Sequence, residues 1–462
     1  MSNQRIEKDL LGEKEIPKEA YYGIQTQRAL ENFPITGYTP NKELIKAIVM
    51  VKKAAALANM KVGQLDKEKA EAIIKAADEI LEGKYIDHFV VDVIQGGAGT
   101  SLNMNANEVI ANRAIEILGG EKGNYKLISP NTHVNMSQST NDAFPTAIRI
   151  AILNLVKNLL KELEELDKAL MAKAKEFDDV IKMGRTHLQD AVPIRLGQEF
   201  SAYAKAIRRD IDRIKTASEA LNEVNMGATA VGTGLNAKIK YIESVIENLR
   251  EITGLPICGT DNMVDATQNT DTLAAFSSSL KLLALNLSKI ANDLRLMASG
   301  PRTGIKEINL PAMQPGSSIM PGKVNPVMAE VVNQVAFQVI GNDHTVALAV
   351  KAGQLELNVM EPVMVFNIIQ SMEILTNVLK VFREKCINGI TANKERCQDM
   401  VEKSVGIITA LVPYIGYEES SNLAKEVMKS DKTVPELVSE KGILTPEQIK
   451  AVLSPKAMTE PK

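Results

Sequence analysis

Residues 271–297 read DTLAAFSSSLKLLALNLSKIANDLRLM, and the spacing of the apolar side chains in this stretch decides the fold class. Successive apolar positions are separated by alternating steps of three and four residues, the period that places side chains on one stripe of an α-helix. The stripe consists of Leu273, Phe276, Leu280, Leu283, Leu287, Ile290, Leu294 and Met297. The stretch therefore predicts a helix roughly 37 Å long, since each residue adds ~1.5 Å.

Two further stripes predict that this helix belongs to a bundle. One has the same alternation and consists of Val365, Ile368, Met372, Leu375, Leu379 and Phe382. The other is looser and consists of Ile148, Ile152, Leu155, Leu159, Leu163, Leu166 and Leu170. Such spacing in three long helices favours shallow crossing angles. The few β-branched runs, such as HFVVDVI at 88–94, are short and isolated, so we expect a mainly α fold.

Helices of this length present more apolar surface than one small core can bury. Packing the surplus faces against copies of the same chain would bury them, which predicts a symmetric homo-oligomer. The pattern also divides the chain into three segments. We expect a mainly helical N-terminal domain over 1–139, a central helical-bundle domain over 140–392, and a small C-terminal domain over 393–462.

The composition argues against nucleic-acid and membrane partners. The 54 Lys and Arg residues nearly balance the 57 Asp and Glu residues, and aromatic residues make up only 4% of the chain. Such a chain has neither the basic field nor the stacking platforms that nucleic-acid binders use. No uninterrupted apolar run reaches membrane-spanning length, and the charged start MSNQRIEKDL does not resemble a signal peptide. We expect a cytoplasmic enzyme.

The cysteines and histidines form no metal-binding or disulfide pattern. Cys258, Cys386 and Cys397 are widely spaced, and neither C-x-x-C nor H-E-x-x-H occurs. GGAGTS at 96–101 lacks the phosphate-loop pattern and follows no convincing strand. We therefore expect reduced thiols, no metal and no cofactor.

Four loops rich in Gly, Asn, Ser and Thr interrupt the helical pattern. They cover Gln95–Asn107, Asn131–Pro145, Gly184–Pro193 and Gln314–Pro326. Each loop alone could be an ordinary turn, because these residue types favour turns. Together with His and Lys side chains, however, their neutral hydrogen-bond donors suit a site for a small carboxylic acid.

The loop at 314–326, QPGSSIMPGKVNP, is the most specific of the four. Its glycines would let backbone N–H groups converge on an anion, and they would also allow the loop to act as a lid. A serine there could lose its proton if neighbouring N–H dipoles and Lys323 stabilised the alkoxide. The alternative is a flexible surface turn.

The sequences of these loops resemble the aspartase/fumarase superfamily. The motifs that carry the resemblance are GSSIMPGKVNP at 316–326, HVNMSQSTNDAFPT at 133–146, GRTHLQDAVP at 184–193, GATAVGTGLN at 227–236 and GQLELNVMEPV at 353–363. The resemblance implies a three-domain fold with a central long-helix bundle. It also implies a homotetramer with a twenty-helix core, in which each active site takes loops from three subunits.

Within the superfamily the chain is similar to the branch that deaminates aspartate. The opening RIEKDLLGEKEIPKEAYYGIQTQRALENFPITG, Ser-Thr-Asn-Asp at 139–142, Leu-Gln-Asp at 188–190 and KVNPVMAEVVNQV at 323–335 carry that similarity. The resemblance implies reversible conversion of L-aspartate to fumarate and ammonia. The alternatives are a fumarate hydratase, which adds water in place of ammonia, and a non-catalytic helical scaffold on the same fold.

The resemblance also implies a role for each polar residue of the loops. Ser317 would abstract the C3 proton, and Thr100, Ser139, Thr140 and Ser318 would hold the β-carboxylate that takes up the charge. The remaining candidates would hold the other end of the substrate: Lys323, Asn325 and Thr186 at the α-carboxylate, Asn141 and His187 at the amino group, and Glu330 as the partner that orients His187. His133 is expected to be supporting, and His88 and His344 to be surface or capping residues.

Overall fold

Helices dominate the computed structural model, which describes residues 4–430 and 432–461. Helix accounts for 63% of the structure and strand for 8%, which confirms the mainly α expectation. The helices are α1 Ile24–Asn32, α2 Lys42–Lys61, α3 Lys67–Leu81, α4 Thr100–Ile117, α5 Thr140–Glu176, α6 Leu196–Glu219, α7 Ile239–Thr253, α8 Met263–Gln268, α9 Asp271–Met297, α10 Val327–Lys351, α11 Glu361–Lys385, α12 Lys394–Lys403, α13 Val412–Val427, α14 Val434–Glu440, α15 Pro446–Val452 and α16 Pro455–Thr459.

The stripes predicted from the sequence are the buried faces of the longest helices. All eight stripe residues of α9 and all six of α11 are buried. In α5 the stripe is buried except at Leu155, which is half-buried while Leu153 and Val156 beside it are buried. Burial of these stripes is the main stabilising contribution to the long helices, since each fully buried Leu or Ile contributes about 1.5–3 kcal/mol.

The chain forms two compact units, and each is assembled from three stretches. The first contains the residues up to Leu160, Asp212–Leu282 and Gln338–Leu375. The second contains Lys161–Ile211, Leu283–Phe337 and the residues from Thr376 onward. The three-domain division remains a prediction.

The strands are short, and within residues 4–430 and 432–461 they form four two-stranded sheets. They are β1 Gln4–Asp9, β2 Gly12–Pro17, β3 Ile181–Thr186, β4 Gln189–Arg195, β5 Glu223–Val224, β6 Cys258–Gly259, β7 Ile308–Asn309 and β8 Thr391–Ala392. β3 and β4 pair antiparallel, with Thr186 opposite Gln189, so only His187 and Leu188 form the turn. The segment at 88–94 forms no strand.

Two helices have the length and hydropathy that could span a membrane by composition alone. They are Thr140–Glu176 and the helical stretch Glu361–Gly389. Within the structure, 72% and 61% of their most apolar windows are buried. Such burial is typical of core helices in a soluble bundle.

The hairpin of β3 and β4 is anchored in a C-terminal core. Ile181 and Met183 of β3 belong to one apolar cluster with Leu411, Leu423 and Val438 of the second unit. This packing holds the base of the hairpin, whereas its tip is exposed.

Candidate active site

In the first unit two of the predicted donors line a cavity of about 610 Å³. Ser139 and Thr140 lie on its wall together with residues of the 131–138 and 229–236 loops. The wall includes one π-helical turn, Pro130–Val134, an element that occurs often at functional sites. The lining is predominantly polar, as the sequence predicted for a site that binds a carboxylate.

Thr100 starts α4 and lies next to Thr140. Gly99, with φ +88°, precedes it, and a Cβ at this glycine would lie 2.3 Å from the ring of Phe144. The Thr100 hydroxyl donates to Gly97 O at 2.6 Å. The hydroxyl oxygens of Thr100 and Thr140 are 3.4 Å apart, so the structure brings these two predicted donors together.

Asp142 fixes the first turn of α5, where Ser139, Thr140 and Asn141 lie. Its buried carboxylate accepts hydrogen bonds from the N–H groups of Ser139, Gly227 and Thr229, at 2.9, 3.1 and 3.0 Å. Burial raises the pKa of this carboxyl to about 6, although the three N–H donors and Lys52 oppose the shift. The carboxylate therefore ties residues 139–141, here called the donor segment, to the loop at 227–229.

Asn141 is oriented by the same loop. Its Nδ2 donates to Ala230 O at 2.7 Å, and its backbone N–H donates to Ser139 Oγ at 3.2 Å. Residues 139–141 lie at the N-terminal, positive end of the 37-residue helix α5, where the helix dipole favours anions.

In the second unit Thr186 and His187 lie at the exposed tip of the β3–β4 hairpin. His187 has φ +55° and Leu188 has φ +60°, so both central turn residues are left-handed. Two-residue hairpin turns of this kind usually contain Asn or Gly, and a strained turn made of His and Leu is typical of functional sites.

Buried ion pairs support the hairpin beneath its tip. Arg185 Nη1 donates to Glu307 Oε1 at 2.6 Å, and Lys182 Nζ donates to Glu199 Oε1 at 2.8 Å. Lys182 Nζ also lies 3.0 Å from Glu307 Oε2, as an ion pair rather than an aligned hydrogen bond. The strand that carries Thr186 is thereby attached to Glu307, just upstream of the 314–326 loop.

The 316–326 loop is closed by its own backbone. Gly316 N–H donates to Lys323 O at 2.7 Å, and Asn325 Nδ2 donates to Gly316 O at 2.8 Å. A Cβ at Gly316 would lie 2.7 Å from Lys323 O, so the crossing requires glycine. Ser317 Oγ accepts hydrogen bonds from Ile319 N–H at 3.2 Å and Met320 N–H at 3.0 Å.

Two N–H donors on one serine oxygen favour its deprotonated form. Ser317 and Lys323 line the same cavity of about 500 Å³, so the structure brings these two predicted residues together. Lys323 and Asn325 also line a neighbouring cavity of about 370 Å³ with Arg295. Ser318 is exposed beside them.

Other predicted partners are not in contact within this chain. Glu330 lies in the first turn of α10, and no hydrogen bond or ion pair joins it to His187 among residues 4–430 and 432–461. The hairpin tip and the 316–326 loop belong to the second unit, whereas Thr100 and residues 139–141 belong to the first. The candidate residues are thus divided between the two units.

The histidines outside the hairpin have supporting contacts. His133 Nδ1 accepts from Ser129 N–H at 2.9 Å, and burial lowers the pKa of His133. His88 packs against Tyr21 with its ring centroid 5.0 Å away, and burial lowers the pKa of His88 as well. His344 is exposed on α10.

Three features were not predicted from the sequence: the buried Lys52, its partner Asn103, and the hydrogen bonds by which Asp142 joins residue 139 to the 227–229 loop. Lys52 is fully buried, and its ammonium group donates to Asn103, Asn135 and Gln138 beneath the donor segment. Its neighbour Lys53 is partly exposed and pairs with Asp78 at 2.6 Å. A period of 3.6 residues could have distinguished the two lysines, because the apolar positions of α2 place residue 52 on the buried face.

Comparisons with known proteins cover nearly the whole chain. A family model described as Lyase matches residues 12–341, and a model described as Fumarase C C-terminus matches residues 407–460. An aspartate ammonia-lyase of a Bacillus species is 63% identical, over 99% of this chain and 98% of the relative. The Escherichia coli aspartate ammonia-lyase is 50% identical, over 100% of this chain and 97% of the relative.

Solved structures give the same result. A fumarate lyase:delta crystallin from Brucella melitensis bound to cobalt superposes with a TM-score of 0.97 at 51% identity, covering 99% of this chain and 100% of that one. A class II fumarase from Schistosoma mansoni gives 0.94 at 36% identity, covering 98% and 99%. The chain therefore belongs to the aspartate ammonia-lyase family within the aspartase/fumarase superfamily.

Proposed function

We propose that this protein is a carbon–nitrogen lyase that converts L-aspartate reversibly to fumarate and ammonia. The structural observation that carries the proposal is the pair of N–H donors on Ser317 Oγ, in a cavity that Lys323 also lines. The aspartate ammonia-lyases that match over the full length support the choice of substrate.

The chemical difficulty is the C3 proton, which is weakly acidic beside a carboxylate. Ser317, as an alkoxide, takes this proton and becomes a hydroxyl. The electron pair of the C–H bond moves into the β-carboxylate and forms a dianionic aci-carboxylate. Collapse of that intermediate forms the C2–C3 double bond and breaks the C2–N bond, which releases ammonia. The step is accelerated by donors that bind the dianion more strongly than the substrate.

The β-carboxylate end is assigned to Thr100, Ser139, Thr140 and Ser318. The contact between Thr100 and Thr140 and the position of residues 139–141 at the start of α5 support this assignment. An anion there gains from the helix dipole as well as from the hydroxyl donors.

The other end of the substrate is assigned to loops of the second unit together with Asn141 of the first. Lys323, Asn325 and Thr186 bind the α-carboxylate, since a lysine with neutral donors suits a carboxylate. Asn141 and His187 hold the amino group, and Glu330 orients His187. The bond from Asn141 Nδ2 to Ala230 O supports this role because it leaves Asn141 Oδ1 as an acceptor for an ammonium group.

The active form is proposed to be a cytoplasmic homotetramer whose sites each use three subunits. The resemblance of the loops to the aspartase/fumarase superfamily supports shared sites. Large apolar side chains that remain exposed on α9 and α10 support assembly, and they are Leu282, Leu285, Leu296, Phe337 and Leu348. Oligomer interfaces are the usual way to cover such surfaces.

The main alternative is a fumarate hydratase, because the class II fumarase has nearly the same fold. Thr140 and the Val327–Val335 segment follow the deaminating pattern and favour aspartate. A non-catalytic scaffold is disfavoured by the hydrogen-bonded Ser317 and the lysine beside it. A turnover screen of aspartate, malate, argininosuccinate and 3-methylaspartate tests the proposal. Activity confined to aspartate is expected, and activity with malate alone would refute it.

A further inference from the structure

The structure contains a buried hydrogen-bond chain that begins at Lys52 in α2 and ends at the donor segment of the cavity. Lys52 has no exposed surface, and its Nζ lies 2.6 Å from Asn103 Oδ1, 3.0 Å from Asn135 Oδ1 and 2.9 Å from Gln138 Oε1. All of these residues belong to the first unit. The mechanism above gives none of them a role.

The lysine fixes the orientation of each side-chain amide. An ammonium group has three hydrogens to donate and no acceptor, so only amide oxygens can face it. Burial lowers the pKa of Lys52 to about 7, and the negative charge of Asp142 opposes that shift. Three oxygens directed at Nζ need three donors, so these bond directions belong to the ammonium form, which predominates in the folded protein below about pH 7. The succinate-binding tests therefore use pH 7 or below.

With its oxygen directed at Lys52, Asn103 must direct its amino group the other way. Asn103 Nδ2 lies 3.1 Å from Thr140 Oγ1 and 3.2 Å from Asn135 Oδ1, so each of its two hydrogens has an acceptor. Thr140 Oγ1 therefore accepts a hydrogen bond, and the proton of its own hydroxyl remains to be donated.

Thr100 directs its own proton to a backbone carbonyl in this structure. Its hydroxyl hydrogen is directed to Gly97 O at 2.6 Å, although its oxygen lies 3.4 Å from Thr140 Oγ1. Thr140 lines the cavity of about 610 Å³ beside Ser139, so its proton is available to an anion bound there.

We propose that Lys52 is a positioning residue that acts through Asn103 to make the Thr140 hydroxyl a donor toward the bound carboxylate. The direction of every bond in the chain is set at Lys52 and transmitted to Thr140. The inference rests on the proposed function only in identifying that carboxylate as one end of the dicarboxylate substrate.

The first test removes the lysine. Lys52→Met should weaken succinate binding to the assembled full-length protein by roughly 10- to 100-fold, the range for losing one hydrogen bond to a charged group. Lys53→Met is the matched control, because it removes the same charge from the adjacent residue, which pairs with Asp78 instead. Equal succinate affinity in the two variants would overturn the proposal.

Because Lys52→Met leaves the buried amide oxygens of Asn103 and Gln138 without a donor, it can fail to fold, and a second variant avoids that problem. Asn103→Asp keeps an oxygen toward Lys52 but replaces the amino group that donates to Thr140 with an acceptor. The Thr140 hydroxyl must then donate to the introduced carboxylate rather than to the ligand. We expect a melting temperature at or above that of the wild type, because Lys52 gains a carboxylate partner, and a loss of succinate affinity of at least about 10-fold.

A double-mutant cycle with Thr140→Val separates bond direction from added charge. If Asn103→Asp acts through the Thr140 hydroxyl, it should weaken succinate binding much less in the Thr140→Val background than in the wild type. Additive losses, unchanged affinity in Asn103→Asp, or a loss of its fold would each overturn the proposal. Failure of the wild type to convert aspartate would instead refute the proposed function, and the cycle, measured by calorimetry with succinate, does not depend on turnover.

Discussion

Arg185 donates a hydrogen bond from Nη1 to Oε1 of Glu307 at 2.6 Å, and this carboxylate is completely buried. The Nζ of Lys182 lies 3.0 Å from the other carboxylate oxygen, Oε2. One buried anion is therefore shared by two cations of β3, the strand that leads to the tip of the hairpin. Removing its charge would leave Arg185 without a carboxylate partner and Lys182 with Glu199 alone.

We accordingly expect Glu307→Gln to destabilise the fold by about 3–5 kcal/mol, the range for removing one partner of a buried ion pair. The measurement is the denaturant midpoint of the full-length protein. Asp179→Asn is the control, because the pair that Asp179 forms with Lys394 at 2.7 Å is exposed and such pairs contribute less than ~1 kcal/mol. Equal effects of the two substitutions would contradict this account of the hairpin.

Ser317→Ala should abolish deamination while leaving dicarboxylate binding nearly unchanged. The substitution removes the oxygen that accepts N–H donors from Ile319 and Met320 but leaves Lys323 in place. We expect kcat to fall by at least about 100-fold, as for the loss of a general base, and the inhibition constant of succinate to change little. Near-normal turnover at saturating aspartate would show that another group takes the proton.

Lys323→Met should have the opposite profile. Loss of a charge-assisted contact to a carboxylate weakens binding by roughly 10- to 100-fold. KM for aspartate and the inhibition constant for succinate should rise together. An unchanged inhibition constant would remove Lys323 from the binding site.

Shared active sites predict recovery of activity in mixed oligomers. Inactive Thr186→Ala and Ser317→Ala chains, mixed under conditions that exchange subunits, should regain part of the wild-type activity because some sites then contain neither substitution. Mass spectrometry of the mixed oligomers verifies exchange. A mixture that exchanges and stays inactive would mean that each chain completes its own site.

The buried Lys52 should make stability depend on pH in a defined direction. Burial lowers its pKa in the folded protein from 10.5 to about 7, so between those values the unfolded chain binds the proton and the folded chain does not. Stability therefore rises with pH through this window, since the unfolded state holds more protons, and the penalty of burying the charge is fully present below about pH 7.

The check is the difference in melting temperature between the wild type and Lys52→Met across that window. The wild type should gain relative to the variant as the pH rises above 7. A constant difference would show that Lys52 remains charged throughout.

The fold was predictable where burial follows a period. The α9 stripe from Leu273 to Met297 was read correctly because every third or fourth residue faces the core. The β3–β4 hairpin was not, because its turn residues, His187 and Leu188, are neither Asn nor Gly and adopt positive φ only in their structural context. Local propensity does not reveal a strained turn.

The site was predictable where chemistry is visible in single residues. Ser317 and Lys323 were identified from their loop, and the structure brings them to one cavity. Lys52 was missed because it is adjacent to Lys53 in the sequence. The two lysines differ only in that α2 places Lys52 on its buried face and Lys53 on a partly exposed one. Its role depends on side-chain amides from separate segments of the first unit, and their proximity cannot be inferred from composition.

Conversion of aspartate to fumarate is tested most directly by the rate of fumarate formation by the purified wild-type protein. This rate is followed by ultraviolet absorbance with aspartate or malate as the sole substrate. We expect the absorbance to rise steadily with aspartate, with release of one ammonia for each fumarate, and to stay unchanged with malate. Fumarate formed from malate, with none from aspartate, would contradict it.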